Sequence, residues 1–456
     1  MDEDARLLRL LRQWLDDTGA PGVSLALDDG RTIRCLAAGT ADSAAGLPVT
    51  ADFVFQFGSV SKMVTAFLLI EALADRGLDL ETPVVAVAPD LAASNDLAFH
   101  KVTIRQLLNH TSGLDSQWWA DMGVGEGARR AAARAIVAQP LIARPGDLFS
   151  YSNSGYVLAG YLTEVLTGQP WEDFAEARIA LYLGDHSLSA RAERVLMRPV
   201  ARGHATPPSK DHSALPAARW YAPAALAPGG GLAGTPRDLA RLVRVLRGRL
   251  GPDDRPALVP TIGWRFAGWA PGIARYRLGE TAFAWGHDGT TAGQACAVRL
   301  CERRPETVVV AANAAWTAPA IGRLAEDILR SLTDTSGPTT AAEPLEGYED
   351  WILPPEIDPS GRYARLNAML TVARAPDSAL LLTEVYSPQD ALNWFGTRPA
   401  STIDPIRTSV RLQQQAPHSY AAPGKELHIL RHPEAAARLY VHDGMRASPK
   451  SSRTWY

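Results

Sequence analysis

The chain reads FGSVSK at positions 57–62 and continues with the apolar run MVTAFLLI at positions 63–70. The run predicts a buried helix, and two helical residues three positions apart share a face. We therefore expect the Ser59 hydroxyl and the Lys62 amine to lie within reach of each other. Unpaired N–H groups and the helix dipole at the first turn favour a negative oxygen. An amine in an apolar setting has a lowered pKa and can act as a base, so the pair predicts an activated serine nucleophile.

The Ser-x-x-Lys pair has a second interpretation, because ordinary helices also begin with a serine cap and carry a solvated lysine. Composition favours the catalytic interpretation. Of the 46 lysines and arginines, only five are lysines, at positions 62, 101, 210, 425 and 450. Arginine cannot release its proton and so cannot serve as a base. A lysine at an apolar helix start therefore indicates that an amine is required there.

Length and composition predict a globular protein of more than one domain. The 456 residues are too many for one ordinary core, and the content of 46% hydrophobic and 21% charged residues is typical of globular proteins. The net charge of −3 comes without a basic stripe, which argues against nucleic acid as a partner. Cys35, Cys296 and Cys301 lack metal-ligand spacing, so we expect free thiols, a reducing compartment, and neither metal nor cofactor.

The first residues and the hydropathy pattern bear on location. The N-terminus, MDED, is acidic and lacks the positive region and apolar core of a signal peptide. The sequence has no run of about 18 apolar residues, so we expect no membrane span and no membrane partner. These observations predict a cytoplasmic protein.

Segments before and after the serine predict a sheet with helices packed on it. Residues 3–17 carry an apolar helical pattern, and residues 23–27 and 32–38 alternate around an Asp-Asp-Gly turn like a hairpin. In the polar stretch NHTSG at 109–113, we interpret His110 as structural, since Asn and Ser there can bond the local backbone.

A second polar pair precedes an apolar helix predicted from Ser154 to Gly168. Tyr151 and Asn153 lie on the turn that leads into this helix. In one interpretation Tyr151 packs its ring and Asn153 caps the helix. In the other, the phenol moves a proton to and from a lysine, and the amide holds a substrate carbonyl. The pair alone leaves both open.

Two glycine-containing motifs follow. The segment PGGGLAG at 228–234 precedes a helix capped by Thr235, and it lacks the lysine and spacing of a phosphate loop. Close backbone approach to a core or a ligand is therefore expected. His287-Asp288-Gly289 lies at the predicted start of a strand, and it is either a hairpin edge with an Asp-Gly turn or part of a site.

The chain changes character after residue 332. Residues 333–346 (TDTSGPTTAAEPLE) are small, polar and proline-containing, which predicts a linker. Beyond it lie strand-like segments separated by turn residues, at 362–374, 379–386, 407–415, 425–431 and 437–442. We therefore predict a domain of residues 1–332, the linker, and a small antiparallel β-barrel over residues 347–456.

In their order along the chain, the motifs resemble those of the serine β-lactamase and penicillin-binding-protein superfamily, and most of all its class C β-lactamase and esterase branch. The motifs are Ser59-x-x-Lys62, Tyr151-x-Asn153 and His287-x-Gly289. The resemblance covers about residues 20–332 and includes the stretch LNHTSGL at 108–114. It implies an α+β fold, with an antiparallel sheet flanked by helices and a helical subdomain.

The resemblance also implies roles in an acyl-transfer reaction that passes through an ester on Ser59. Ser59 is then the nucleophile. Lys62 and Tyr151 move its proton, and Asn153 orients the substrate carbonyl.

The third motif would supply the oxyanion hole, from the backbone N–H groups of Ser59 and Thr290. Such donors contribute about 3–4 kcal/mol each in serine hydrolases. Gly289 would border the substrate. His287 stands where β-lactamases usually have a lysine. A histidine of ordinary pKa is only partly charged, which argues against efficient β-lactam hydrolysis.

The whole chain resembles the penicillin-binding-protein-type thioesterases, stand-alone enzymes of nonribosomal peptide pathways with a lipocalin-like second domain. That resemblance implies an enzyme that takes a peptide from a carrier-protein thioester and releases it by macrocyclisation. It implies that Gly234 borders the site and that Arg446 holds the incoming terminal group. Two other functions remain open: a serine hydrolase of esterase, transacylase or D-aminopeptidase type, and a catalytically inactive binding module.

Overall fold

The computed structural model describes most of the first 333 residues and eight strands beyond them. The described ranges are 3–93, 96–116, 122–123, 125, 127–210, 213–220, 223–249, 258–262, 266–333, 360–365, 368–375, 379–386, 407–416, 419–422, 425–431, 439–442 and 445–449. The helices are α1 Glu3–Thr18, α2 Ser61–Ala74, α3 Val84–Val87, α4 Ile104–Leu108, α5 Ala128–Val137, α6 Asn153–Thr167, α7 Trp171–Leu183, α8 Ala192–Val195, α9 Ala227–Gly230, α10 Pro236–Arg249 and α11 Ala318–Thr333.

The strands fall into two groups along the chain. The first group is β1 Gly22–Asp28, β2 Ile33–Asp42, β3 Leu47–Pro48, β4 Phe55–Gln56, β5 His204–Thr206, β6 Leu215–Pro216, β7 Ala233–Gly234, β8 Gly268–Ala270, β9 Ile273–Arg277, β10 Phe283–Thr290, β11 Ala295–Cys301 and β12 Thr307–Ala312. The second group is β13 Gly361–Arg365, β14 Ala368–Arg374, β15 Leu380–Tyr386, β16 Arg407–Ala416, β17 Ser419–Ala422, β18 Lys425–Arg431, β19 Leu439–His442 and β20 Ala447–Pro449.

An eight-stranded antiparallel sheet forms the centre of the first domain, in the order β3-β2-β1-β12-β11-β10-β9-β8. Strands β1, β11 and β12 are buried along their whole length, which explains their nearly continuous apolar sequences. Helices α1 and α11 pack on one face of the sheet and α10 on the other. The predicted hairpin forms as β1 and β2, with Leu25 opposite Leu36. The predicted α+β fold, with an antiparallel sheet flanked by helices, is confirmed.

Helix α2 is the centre of the helical part. Ten of its 14 residues are buried, including Lys62, because the MVTAFLLI run is apolar on every side. It packs against α6 and α9, and α6 in turn contacts α4, α5 and α7. Helix α6 ends at Gly168, whose φ of 70° is left-handed, as expected of a glycine C-cap. Within the described residues, no helix is both long and apolar enough to cross a membrane.

The C-terminal strands form a second antiparallel sheet, a meander in the order β13 to β20. The first and last strands, β13 and β20, approach each other, but among the described residues no hydrogen-bonded pairing joins them. The closed, lipocalin-like barrel is therefore not confirmed. The predicted linker, apart from its first residue Thr333, lies outside the described residues. The three cysteines all lie in the described part of the chain and are free thiols.

The second sheet is docked on the loop before α6. Tyr440 donates a hydrogen bond to the Ile142 carbonyl at 3.2 Å, and His442 Nε2 lies 2.9 Å from the Phe149 carbonyl. Around these bonds Leu430, Tyr440 and Ala447 pack into an apolar cluster with Phe149 and neighbouring residues of the first domain. The turn that carries the Tyr151 motif is thus held from both parts of the chain.

Candidate active site

Ser59 lies in a 3-10 turn, Gly58–Val60, that leads directly into α2. Gly58 has a φ of 54°, and a Cβ there would lie 2.6 Å from the backbone nitrogen of Thr290, so only glycine fits. No side chain caps α2, and its N-cap is Val60. The Ser59 hydroxyl is therefore not used as a helix cap.

Lys62 is fully buried, which excludes the interpretation of this lysine as a solvated charge. Its Nζ lies 3.1 Å from Ser59 Oγ and donates a hydrogen bond to the Gly229 carbonyl at 2.6 Å. Burial lowers the pKa of Lys62 well below its ordinary value, and the charge of Arg446 lowers it further. A neutral amine can take the proton of the Ser59 hydroxyl, which is the task of a general base.

Tyr151 is the second neighbour of Ser59. Its side chain is only 3% exposed, and its ring centroid lies 5.1 Å from Lys62 Nζ. Burial raises the pKa of Tyr151, although a hydrogen bond with Ser59 and the charge of Arg446 act in the opposite direction. The phenol therefore keeps its proton in the resting enzyme. It is placed to relay a proton between Lys62, Ser59 and a leaving group.

Asn153 is the first residue of α6, and the adjacent Ser152 caps the helix. Ser152 Oγ accepts a hydrogen bond from the Gly155 N–H at 3.1 Å. The interpretation of Asn153 as the cap is therefore wrong. Its side chain instead lines the same cavity as Ser59, where the amide can meet a substrate carbonyl.

The third motif lies within β10, where His287 is opposite Val298 and Gly289 is opposite Cys296. The interpretation of Asp288-Gly289 as a hairpin turn is therefore wrong, and the turn occurs after Thr290. A Cβ on Gly289 would lie 1.9 Å from the Phe57 carbonyl oxygen and 2.9 Å from the Ser59 nitrogen. Strand β10 thus lies directly against the serine turn and brings Thr290 to the same cavity.

His287 is buried, with 2% exposure, between the rings of Trp269 and Tyr151 at centroid distances of 5.4 and 6.1 Å. Its Nδ1 lies 2.6 Å from the Asp288 carbonyl, which assigns the proton to Nδ1. Burial lowers the pKa of His287 to about 3, and Lys62 acts in the same direction when it is protonated. At neutral pH this side chain is uncharged, unlike the lysine it replaces.

His110 packs against Tyr151. The sequence alone predicted a structural role for His110 but not this contact. Its ring lies 4.3 Å from that of Tyr151, and its Nδ1 accepts a hydrogen bond from the Ser152 N–H at 3.0 Å. Burial lowers the pKa of His110 well below its ordinary value, so Nδ1 stays available as an acceptor. In the described residues, it is the only non-glycine residue with a positive φ, 64°. The polar sequence NHTSG at 109–113 was the only feature of the sequence that pointed to His110.

A buried ionic network fixes the other side of β10, and sequence reasoning missed it. Arg299 of β11 is 1% exposed and bonds Asp288 at 2.8 Å and Glu326 of α11 at 2.9 Å. Tyr276 donates to Asp288 at 3.2 Å, and its ring lies 3.5 Å from the Arg299 guanidinium. The strand that carries His287 is therefore bound to its neighbour and to α11 beside the site.

Arg446 precedes β20 of the second sheet and lies beside Tyr151. Its guanidinium lies 5.5 Å from the Tyr151 ring centroid, and the Met445 carbonyl accepts a hydrogen bond from the Tyr151 N–H at 2.7 Å. Gly234 lies elsewhere: it is buried opposite Phe55, and a Cβ there would meet Leu188.

The cavity beside Ser59 has a volume of about 1140 Å³. Asn153 and Thr290 line it near the serine, together with the glycine-rich segment 229–231. Gly160 of α6 lets this segment approach closely, because a Cβ there would lie 2.2 Å from Pro228. The nucleophile and two converging backbone turns thus border a space of ligand size, while the neutral base and the proton relay lie buried next to the nucleophile.

Residues 7–332 match the family model named Beta-lactamase. The chain belongs to the beta-lactamase family. Penicillin-binding protein 4 of Amycolatopsis lactamdurans is 31% identical over 345 residues, which are 72% of this chain and 89% of that protein. Esterase EstB of Burkholderia gladioli is 29% identical over 280 residues, 54% of this chain and 71% of the esterase.

The likeness of this beta-lactamase-family chain to one solved structure extends beyond the family region. The crystal structure of SurE with D-Leu matches with a TM-score of 0.72 at 24% identity, and the match covers 98% of this chain and 99% of SurE. At that identity the match shows the fold alone. Family membership establishes a serine hydrolase and acyltransferase type of enzyme.

Proposed function

We propose that the protein is a thioesterase that takes a peptidyl group from a carrier-protein thioester and releases it as a macrocycle. Ser59 Oγ attacks the thioester carbonyl while Lys62 takes its proton, and the thiol leaves with a proton relayed through Tyr151. The amino group of the same peptide then attacks the ester. An amide forms, and Ser59 regains its proton.

One observation carries this proposal: the second sheet completes the catalytic centre. Residue 445 bonds the backbone of Tyr151, and the Arg446 guanidinium lies beside its ring. Lys62 and Tyr151 are at most 3% exposed. A site that keeps water from its base and its proton relay favours an internal amine over water as the acceptor. The whole-chain likeness to SurE, whose structure was solved with D-Leu, supports a peptidyl donor that carries a D-residue.

Hydrolysis is the second candidate function. The cavity of about 1140 Å³ leaves room for an external acceptor at Ser59, and EstB, the relative at 29% identity, is an esterase by name. In this case water or a free amine attacks the Ser59 ester, and a linear product leaves.

Mass spectrometry of the products separates the two candidates. The enzyme is incubated with peptidyl thioesters that end in a D-residue, with Ser59→Ala as the blank and circular dichroism to check its fold. A cyclic product that the blank fails to make supports the cyclase. A linear acid alone, also dependent on Ser59, refutes cyclisation and supports the hydrolase.

A further inference from the structure

Lys62 and Arg446 both lie beside the ring of Tyr151. Lys62 Nζ is 5.1 Å from the ring centroid, and the central carbon of the Arg446 guanidinium is 5.5 Å from it. The amine belongs to α2, whereas the half-buried arginine belongs to the segment that precedes β20 of the second sheet. The amine is therefore at most about 11 Å from a guanidinium that always keeps its charge.

The other titratable groups that surround Lys62 in the described residues supply little charge. Burial raises the pKa values of two tyrosines and lowers those of two histidines, so that all four side chains are neutral at neutral pH. These four are Tyr151, Tyr156, His110 and His287. The carboxylate of Asp288 is paired with Arg299 at 2.8 Å. Besides burial, the charge of Arg446 lowers the pKa of Lys62.

The third motif provides no fixed positive charge at this site. His287 stands where β-lactamases usually have a lysine, and its ring centroid lies 6.1 Å from that of Tyr151. Its buried imidazole is neutral, whereas a lysine at this position would bring an ammonium group to the same tyrosine. The Arg446 guanidinium therefore brings, from the second sheet, a positive charge that β10 lacks next to Tyr151.

We propose that Arg446 holds Lys62 in its neutral, proton-accepting form, so that the second sheet takes part in the formation of the Ser59 ester. A fixed positive charge disfavours the ammonium form of a nearby amine. At about 11 Å and an effective dielectric constant of about 20, the repulsion changes the protonation equilibrium roughly tenfold, and more at shorter distances. The ester forms before cyclisation or hydrolysis, so the inference goes beyond the proposed function and is independent of which product leaves.

The test measures the rate at which an uncharged alkyl fluorophosphonate labels Ser59 as a function of pH. The probe carries no peptide and no charge, so a residue that only holds the incoming terminal group would not affect its reaction. Arg446→Met removes the charge and keeps a long side chain. Arg446→Lys keeps a positive charge in the acidic part of the profile. Circular dichroism defines the pH range in which each variant stays folded.

A further variant controls for the docking of the second sheet. Tyr440→Phe removes the hydrogen bond to the Ile142 carbonyl, 3.2 Å long, without removing a charge. Arg446→Gln provides a second uncharged side chain at position 446, so the conclusion does not depend on methionine alone.

In Arg446→Met and Arg446→Gln, the acid limb of the labelling profile should move to higher pH. Below the wild-type midpoint, labelling should be roughly tenfold slower than in the wild type, because more of the Lys62 amine is protonated. At high pH the rates should converge, since the amine is then neutral with or without the guanidinium. Arg446→Lys and Tyr440→Phe should keep the wild-type midpoint.

Three results would overturn the inference. An unchanged midpoint in Arg446→Met and Arg446→Gln shows that the guanidinium does not act on the base. An equal displacement in Arg446→Lys assigns the effect to packing, and an equal displacement in Tyr440→Phe assigns it to docking. Each of these results leaves the thioesterase proposal intact. A displaced midpoint in an enzyme that turns over no peptidyl thioester supports the inference and refutes the proposed function.

Discussion

Arg299→Met tests whether the buried network stabilises the sheet behind the catalytic strand. Methionine keeps the length of the side chain but offers no hydrogen-bond donor. The change leaves Asp288 and Glu326 facing each other without the guanidinium that now bonds both at 2.8 and 2.9 Å. Each carboxylate side chain is only 17% exposed, so water can replace the lost partner only in part.

The expected loss in free energy of unfolding follows from the burial of Arg299 and its two partners. Removal of one partner from a buried ion pair costs about 3–5 kcal/mol, because an uncompensated charge stays behind. Arg34→Met is the matched control. Its side chain is 37% exposed and pairs with Glu3 and Asp4, which are 44% and 40% exposed, so its loss should cost about 1 kcal/mol or less. The two substitutions are chemically identical and differ in burial.

Urea unfolding, followed by tryptophan fluorescence, measures both variants against the wild type. The combined variant Arg299→Met, Asp288→Asn and Glu326→Gln should recover part of the stability, because it removes the stranded charges. The reasoning is refuted if Arg299→Met costs no more than Arg34→Met. It is also refuted if the combined variant is less stable than Arg299→Met alone.

Three further predictions concern the catalytic groups, and a fourth concerns the helix cap next to Tyr151. Lys62→Arg should slow fluorophosphonate labelling of Ser59 by roughly 10²- to 10⁴-fold, since a guanidinium stays protonated; equal labelling rates would contradict the role of base. In the wild type, labelling should slow as pH falls through the lowered pKa of Lys62, because protonation removes the base; a flat rate–pH profile across an acid range where the fold persists would exclude this. Thr290→Pro removes one backbone donor and should lower kcat by about 10²- to 10³-fold, whereas Thr290→Ala should not; steady-state kinetics with an activated ester compares them. Ser152→Ala should lower the free energy of unfolding by about 1 kcal/mol in urea titrations, because that is the usual contribution of an N-cap. An unchanged free energy would show that Ser152 does not stabilise α6 as its cap.

The catalytic core could be predicted from the sequence because its chemistry depends on short spacings. Ser59 and Lys62 are three residues apart at a helix start, so local geometry alone brings them together. Tyr151 and His287 are distant in sequence, and only the ordered resemblance predicted that they join the pair. Lys62 also illustrates a general point: an apolar run predicts burial even for the charged residue inside it.

The sequence alone could not decide which of several neighbouring residues takes a role that each of them could fill. Ser152 and Asn153 are both favourable N-caps, and backbone geometry at the turn decides that the serine caps α6. The glycine-rich segment contains several candidates, and the packing of α9 on α6 decides that residues 229–231 line the cavity while Gly234 packs on Leu188. Such outcomes depend on tertiary contacts that leave no pattern in the sequence.

The Arg299 network shows the same limit for long-range pairs. Its partners lie on a neighbouring strand and on the last helix of the domain, 11 and 27 positions away. The pairing of β10 with β11 and the position of α11 both have to be known before Asp288 and Glu326 can be joined through one guanidinium. Asp288 occupies the variable position of the His287-x-Gly289 motif, and neither Arg299 nor Glu326 belongs to any of the motifs identified in the sequence.

The bond between the Ala447 N–H and the Ser150 hydroxyl joins residues 297 positions apart, beside the catalytic tyrosine. During synthesis on a ribosome, at ~5–20 residues per second, the second partner is made roughly 15 to 60 s after the first. A growing chain therefore holds its serine and lysine throughout the synthesis of residues 63–446 without the bond that completes the tyrosine's surroundings. The order of translation itself delays the assembly of the full catalytic centre until Ala447 has been made.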